Sequence, residues 1–149
     1  MRNVRVIRPA DPQEDAAGFD YLAGIVAETV GCEQLALQLL RIQPGVISAA
    51  HSHDEHESAA FVLEGEIVTW FGDEMIKHVT ARKGDFVFIP PGVPHVAANY
   101  GDVEAVALVA RTDPSGQERV KPFPKLDALP HLGKPPGKLP PPRAPRRAI

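Results

Sequence analysis

Three histidines and three carboxylates fall within seven consecutive residues near the middle of the chain. This segment runs from His51 to Glu57, and so dense a group of imidazoles and carboxylates has little use in an apolar core. His51 and His53 are two residues apart, so their side chains point to the same side of an extended strand. Two imidazoles and a nearby carboxylate, Glu57, are typical ligands of a divalent metal ion, and we predict a metal site here.

A further histidine follows an apolar segment and a tight turn downstream. Phe86 to Ile89 read as a strand, Pro90-Pro91-Gly92 as a turn, and His95 begins the next strand. His95 is therefore the candidate for a further imidazole ligand.

The two segments together resemble the two sequence motifs of the cupin superfamily. The first motif is G, five residues, H-x-H, three or four residues, E, about six residues and G. The second is G, five residues, P-x-G, two residues, H, three residues and N. The matching residues are Gly45, His51, His53 and Glu57 for the first motif, and Gly84, Pro90, Gly92, His95 and Asn99 for the second. The resemblance extends over roughly residues 35 to 110.

One spacing departs from the motif. Seven residues separate Glu57 from Gly65, where six are usual. Either a one-residue bulge absorbs the extra residue, or the ligand is a neighbour, His56 or Ser58. We expect Glu57, because a carboxylate completes the three-histidine, one-glutamate set of the family, with His56 replacing or supplementing it as the alternative.

The resemblance implies an all-β fold, a double-stranded β-helix or jelly-roll barrel, with His51, His53, Glu57 and His95 holding one divalent metal ion inside. Iron, manganese, nickel, copper and zinc all suit these ligands. Proteins of this family include dioxygenases, isomerases, lyases, decarboxylases and proteins that bind metal without catalysis. We expect a dioxygenase-type oxidoreductase acting on a small organic molecule, with aromatic and diketone-like compounds among the candidates and Glu57 also accepting a proton. The alternatives are a metal-dependent isomerase or lyase, or a non-catalytic metal-binding or small-molecule-binding cupin.

Glycine, proline and aspartate turns divide the chain into short strands, and no segment predicts a helix of convincing length. The expected strands include a short one around Val4 and Val6 and one over residues 25–30. We divide the chain into N-terminal strands and a loop packing on the barrel (1–34), the barrel (35–112) and a proline-rich basic C-terminal arm (113–149). Most of the aromatic residues Phe61, Phe86, Phe88, Trp70 and Tyr100 should be core. Phe61 shares the parity of Glu57 and should face the metal unless the bulge intervenes.

The C-terminal arm differs from the rest of the chain in composition. From residue 120 onward it is rich in proline, lysine and arginine and carries a single acid, Asp127. Such a segment should not add strands to a sheet, and its composition favours an extended, solvated tail. The alternative is that the arm docks on its own barrel or on a neighbouring subunit, with Phe123, Leu126, Leu129 and Leu132 as anchors.

Whole-chain properties narrow the remaining possibilities. The 149 residues carry a net charge of -3, which argues against a nucleic-acid-binding surface. With a single cysteine, Cys32, no intramolecular disulfide can form, and no apolar stretch reaches the length of a signal peptide or membrane span. We expect a cytoplasmic protein without a membrane partner. Because small barrels with exposed edge strands commonly pair, we also expect a homodimer.

Overall fold

The computed structural model describes residues 3–9, 13–14 and 19–137, which form a mostly β structure. In chain order the strands are β1 (Gln13–Glu14), β2 (Asp20–Ile25), β3 (Ala36–Ile42), β4 (His51–Ser52), β5 (Ser58–Glu64), β6 (Glu66–Phe71), β7 (Lys77–Arg82), β8 (Phe86–Ile89), β9 (His95–Ala98), β10 (Ala105–Arg111) and β11 (Lys121–Pro122). Two short helices, α1 (Ala27–Val30) and α2 (Pro124–Asp127), and a 3₁₀ turn at Pro130–Gly133 complete the described elements. No helix in these ranges is long and apolar enough to cross a membrane.

The strands form two antiparallel sheets. The six-stranded sheet has the spatial order β1-β2-β3-β10-β5-β8, and the five-stranded sheet has the order β11-β4-β9-β6-β7. Neighbours in each sheet are mostly distant in sequence, as in a jelly roll, where strands cross repeatedly from one sheet to the other. The predicted all-β jelly-roll fold is confirmed.

Alternating side chains of the six-stranded sheet build the core between the two sheets. In β3, the side chains of Ala36, Gln38, Leu40 and Ile42 are buried, while those between them are only partly buried. β10 pairs with β3 over its whole length and shows the same alternation. This period of two is what a strand with one buried face requires.

Strands β6 and β9 of the five-stranded sheet are largely buried on both faces, because the C-terminal arm covers their outer face. In β6, Ile67 packs in the core between the sheets, whereas Trp70 belongs to a second apolar cluster under the arm. The arm contributes to that cluster the four predicted anchors, Phe123, Leu126, Leu129 and Leu132. Trp70 Nε1 donates a hydrogen bond of 2.9 Å to the hydroxyl of Tyr100, which in turn donates to the Leu132 carbonyl. The arm therefore docks on its own barrel, at least as far as Leu132.

The expectation that the arm adds no strand is wrong. Lys121 and Pro122 form β11 and pair with Ser52 and His51 of β4. A proline is tolerated there because β11 is the edge of its sheet, where a missing backbone donor leaves no partner unsatisfied. The end of the arm, residues 138–149, lies outside the described residues.

Two expectations for the N-terminal region also differ from the structure. Residues 3–9 form no strand, and Val4 and Val6 are exposed. The strand expected over residues 25–30 instead ends at Ile25, and α1 follows. Thr29 favours this helical turn, because its hydroxyl accepts a hydrogen bond of 3.1 Å from the backbone N–H of Val26.

The aromatic residues near β8 are not core residues. Phe86 and Phe88 are 82 % and 60 % exposed, and Phe61 lies opposite Phe86 on the outer face of the six-stranded sheet. The expectation that Phe61 faces the metal is therefore wrong. In β5 it is Val62 that is fully buried in the core.

The docking of the arm leads to a stability prediction for Leu132, which is 4 % exposed under the five-stranded sheet. Leu132→Ala should lower the free energy of unfolding by about 2 to 4 kcal/mol, because it leaves a cavity in a closed apolar cluster. Urea denaturation measures this, with Leu35→Ala, at a 48 % exposed position, as a control expected to change little. Equal stabilities of the two variants would mean that the arm does not dock as described.

Candidate metal centre

The structure brings His51, His53 and His95 together between the two sheets. β4 and β9 are adjacent, and His51 lies directly opposite His95 in their pairing. One ring nitrogen from each of the three histidines lies within 4.8 Å of the others. All three residues are buried, with 2–4 % of their surface exposed.

Backbone carbonyls fix the orientation of two of these rings. Nδ1 of His51 lies 2.7 Å from the Ala49 carbonyl, and Nδ1 of His95 lies 2.9 Å from the Val93 carbonyl. Because a carbonyl can only accept a hydrogen bond, each Nδ1 must carry the ring proton. Nε2 of both rings is then left with a free lone pair, which is the state that binds a metal ion.

The turn of the second motif ties the two histidine segments together. Gly92 has a φ of +77°, in the left-handed region that favours glycine, and its N–H donates a hydrogen bond of 2.8 Å to the His53 carbonyl. Asn99 donates to the carbonyls of Ile42 and Val103 at 2.9 and 2.8 Å. Asn99 thus fixes the loop that follows β9.

Burial favours the neutral forms of His53 and His95. It lowers the pKa of His53 from 6.5 to about 4, although the nearby Glu118 carboxylate partly opposes the shift. It lowers the pKa of His95 from 6.5 to about 3, with a further contribution from His51. At neutral pH these two rings therefore offer lone pairs and not positive charges, as metal coordination requires.

The structure does not place Glu57 with the histidines. Its side chain is exposed, and its backbone pairs with Thr112 through hydrogen bonds of 3.0 and 3.2 Å. Alternate residues of a strand point to opposite sides, so it is Ser58 that is buried and faces the interior. β5 does have a register shift between Val62 and Glu64, but it lies too far along the strand to turn Glu57 inward.

The carboxylate beside the histidines is that of Glu118, a residue of the C-terminal arm that the sequence analysis missed. Its side chain is 5 % exposed, and Oε1 lies 3.2 Å from Nδ1 of His53 and 3.4 Å from Nη1 of Arg111. Burial raises the pKa of Glu118, but His56, His53 and Arg111 lower it by more, to about 2. One feature of the sequence pointed to such a residue. The usual six-residue spacing before Gly65 places Ser58, and not a glutamate, at the motif position, so a carboxylate near the histidines has to come from elsewhere in the chain.

The alternative ligand His56 is buried but lies away from the cavity that the three histidines line. Its Nδ1 is 3.9 Å from Asp113 Oδ2, and its Nε2 is 4.0 Å from Glu118 Oε1. With His53 and Glu118 it forms a second group of potential metal ligands within 4.8 Å of one another. It also lines a separate surface depression beside Arg119.

A largely apolar cavity of about 70 Å³ lies between the sheets. Polar groups from His51, His53, His95, Ser58 and Glu118 line part of its wall. Glu118 is the one charged residue among the described residues that line it. The Ser58 hydroxyl is buried and makes no hydrogen bond within the described part of the chain. Three imidazoles converging on such a cavity fit a divalent metal ion with free coordination positions.

The buried histidines predict how the stability of the metal-free protein depends on pH. The folded pKa values of His53 and His95, about 4 and about 3, lie below 6.5, so the unfolded chain takes up protons first as pH falls. Their contribution to stability is fully present above pH 6.5 and is lost on acidification towards pH 4 and 3. Each adds a slope of at most about 1.4 kcal/mol per pH unit.

Urea denaturation of the metal-free protein between pH 7.5 and 4.5 measures this slope. His95→Gln removes one of the two titrating groups, so its stability should fall less steeply with decreasing pH than that of the wild type. Parallel curves for the two proteins would contradict a buried, neutral His95.

Comparison with known proteins agrees with the fold. Residues 38–111 match the model of the cupin domain family. A cupin 2 conserved barrel domain protein from Salinispora arenicola superposes with a TM-score of 0.62 at 22 % identity, over 74 % of this chain and 91 % of that one. The S161A mutant of Bacillus subtilis oxalate decarboxylase has a TM-score of 0.63 at 17 % identity, over 76 % of this chain and 30 % of that one.

Two plant proteins are similar in sequence. Auxin-binding protein ABP19b of Prunus persica is 30 % identical over 93 residues, which are 60 % of this chain and 44 % of that protein. Germin-like protein subfamily 2 member 1 of Arabidopsis thaliana is 33 % identical over 84 residues, 54 % of this chain and 38 % of that protein. The chain thus spans less than half the length of these relatives. The family match, the two-sheet fold and the histidines of both motifs together show that this protein carries a domain of the cupin superfamily.

Proposed function

We propose that this protein is a metal-dependent cupin that acts on a small organic molecule held at one divalent ion. The observation that carries the proposal is the convergence of His51, His53 and His95, all buried, on one cavity between the sheets. Iron, manganese, nickel, copper and zinc remain the candidate metals, because the ligand types alone do not choose among them.

The metal ion, when bound, supplies Lewis-acid or redox chemistry at the base of the cavity. The chain's own residues hold that position and control what reaches it. His51 and His95 are fixed through their Nδ1 protons, and the apolar walls, such as Leu40 and Val109, exclude water. The Ser58 hydroxyl, which has no other partner among the described residues, is available to bond a polar atom of the substrate.

Within this function we propose a dioxygenase-type oxidoreductase, with an isomerase or lyase as the alternative. An apolar cavity beside a metal suits a substrate that reacts with molecular oxygen, because oxygen partitions into apolar space without needing polar contacts. The lyase alternative deserves a direct test, since several of the structural neighbours are oxalate decarboxylases. Those neighbours support the fold and not the activity.

The cavity favours a small substrate of low charge. Its volume of about 70 Å³ is well below the roughly 150 Å³ that accommodates benzene, so an aromatic or diketone-like substrate requires the cavity to open. No lysine or arginine is among the described residues that line it, and Glu118 contributes a negative charge. A dicarboxylate such as oxalate would therefore be balanced by the metal ion alone, without a cationic side chain in the cavity wall.

We also propose that the protein is a cytoplasmic homodimer, as the sequence suggests. The structure offers a contact face on the outside of the six-stranded sheet, where Leu39, Leu108, Phe61 and Phe86 follow one another across four strands. This row carries no charge, and the ion pair of Arg41 with Glu104 lies to one side of it. A flat uncharged row can meet its own copy about a twofold axis without repulsion, so a second copy of the chain is the occupant we propose.

Metal content is the first test of the proposed function. The purified protein should hold about one divalent ion per chain by elemental analysis, and the double variant His51→Ala, His95→Ala should hold almost none. His78→Ala, a histidine outside the cluster, is the matched control and should retain the ion. The loaded protein should consume oxygen with small neutral substrates, and oxalate belongs in the same assay. A wild-type chain that takes up none of the five metals would contradict the proposal.

The dimer proposal is tested by mass in solution. Sedimentation equilibrium should give the mass of two chains for the wild type and the mass of one chain for the double variant Phe86→Lys, Phe88→Lys. In that variant, like charges would face each other across the contact. Val79→Lys introduces a charge at a 46 % exposed site on the other sheet and should leave the dimer intact. A monomeric wild type would overturn this proposal.

A further inference from the structure

The buried ion pair of Arg111 and Glu118 lies next to the metal site but outside the cupin motifs. Glu118 follows the region matched by the family model, which ends at residue 111. Its side chain nevertheless reaches the interior and lines the same cavity as the three histidines. The role of Glu118 therefore cannot be inferred from that of the motif glutamate, because the usual spacing before Gly65 places the motif residue at Ser58.

The carboxylate of Glu118 lies on the side of His53 that faces away from a coordinating Nε2. The three histidines differ in how their Nδ1 atoms are held: those of His51 and His95 bond to backbone carbonyls, whereas that of His53 is buried without an aligned hydrogen-bond partner. The acceptor beside it is Glu118 Oε1, at 3.2 Å. A carboxylate at this position can fix a ligating histidine with its proton on Nδ1 and its lone pair on Nε2.

The charge around Glu118 argues against a direct bond to the metal. Arg111 Nη1 lies 3.4 Å from the same oxygen, and the Arg111 side chain is 1 % exposed. This guanidinium already balances the carboxylate, and it would repel a divalent cation bound there. The same repulsion disfavours a metal ion in the second group, His53, His56 and Glu118.

The chain on both sides of Glu118 is fixed to the barrel. Before it, Arg111 and Gln38 donate hydrogen bonds to the carbonyls of Ser115 and Gly116 at 3.1 and 3.3 Å. After it, β11 pairs with β4, the strand that carries His51. The arm thus holds the Glu118 carboxylate at a defined place beside His53.

From this arrangement we propose that Glu118 is a positioning residue for the metal ligand His53 and not itself a ligand. The metal is then held by three neutral imidazoles, and no carboxylate reduces its charge. The inference rests on the proposed function for the presence of a metal. The contact between Glu118 and His53 can, however, be tested without one.

The test uses the full chain with ¹⁵N-labelled histidine, both metal-free and with added Zn²⁺. Long-range ¹H–¹⁵N spectra report which nitrogen of each ring carries the proton. In the wild type, His51, His53 and His95 should all be protonated on Nδ1. In the metal-free double variant Arg111→Met, Glu118→Leu, which leaves no unpaired buried charge, His53 alone should lose this preference.

Zinc affinity gives the second measurement. The double variant should still bind one Zn²⁺ per chain, with an affinity about 10- to 100-fold lower, as expected for the loss of a group that orients a ligand. Glu118→Gln keeps an oxygen that accepts from Nδ1–H and should recover most of the affinity. Glu57→Leu, at the exposed carboxylate, is the control and should bind as the wild type does.

The outcomes separate the two proposals. A wild-type chain that binds no metal overturns the proposed function. An unchanged protonation pattern of His53 in the metal-free double variant overturns the role of Glu118, whatever the zinc affinity of that variant. Glu118 would instead be identified as a ligand by two results together. The zinc affinity would fall as far in Glu118→Gln as in the double variant, and the protonation pattern of His53 in both variants would stay that of the wild type.

Discussion

Three imidazoles buried between two sheets are the constraint to which the rest of this structure responds. Burial disfavours the charged forms of His53 and His95, whose pKa values it lowers to about 4 and about 3. Each ring must then find an acceptor for its one N–H, or burial becomes costly. Carbonyls of the preceding loops meet this need for His51 and His95, and for His53 the nearest acceptor is a carboxylate brought from the C-terminal arm.

That carboxylate in turn requires its own compensation. Glu118 would be unfavourable in an apolar interior without Arg111, and Arg111 is itself held by hydrogen bonds to Gln38 and to the Ser115 carbonyl. Gln38 is buried in β3, within the six-stranded sheet. A chain of polar contacts therefore links the cavity to both the barrel and the arm.

The arm has two structural roles that its composition does not suggest. It places Glu118 beside the histidines, and it covers the outer face of the five-stranded sheet with an apolar cluster around Trp70 and Leu132. Because β4 pairs with β11, the strand that carries His51 is not an exposed edge. Docking of the arm and organisation of the site are therefore parts of one arrangement.

The sequence by itself determined the fold class and three of the residues at the site. Turn residues at short intervals indicate a β structure, and the spacing of His51, His53 and His95 relative to their glycines depends only on local geometry. The sequence could not show whether the Glu57 side chain points inward. One extra residue before Gly65 changes which side chains point inward unless a bulge absorbs it, and the position of a bulge depends on pairing with β10. Glu118 was hidden for a related reason. It lies 65 residues beyond His53 in a segment without a motif, and only the tertiary packing of the arm brings the two side chains to 3.2 Å.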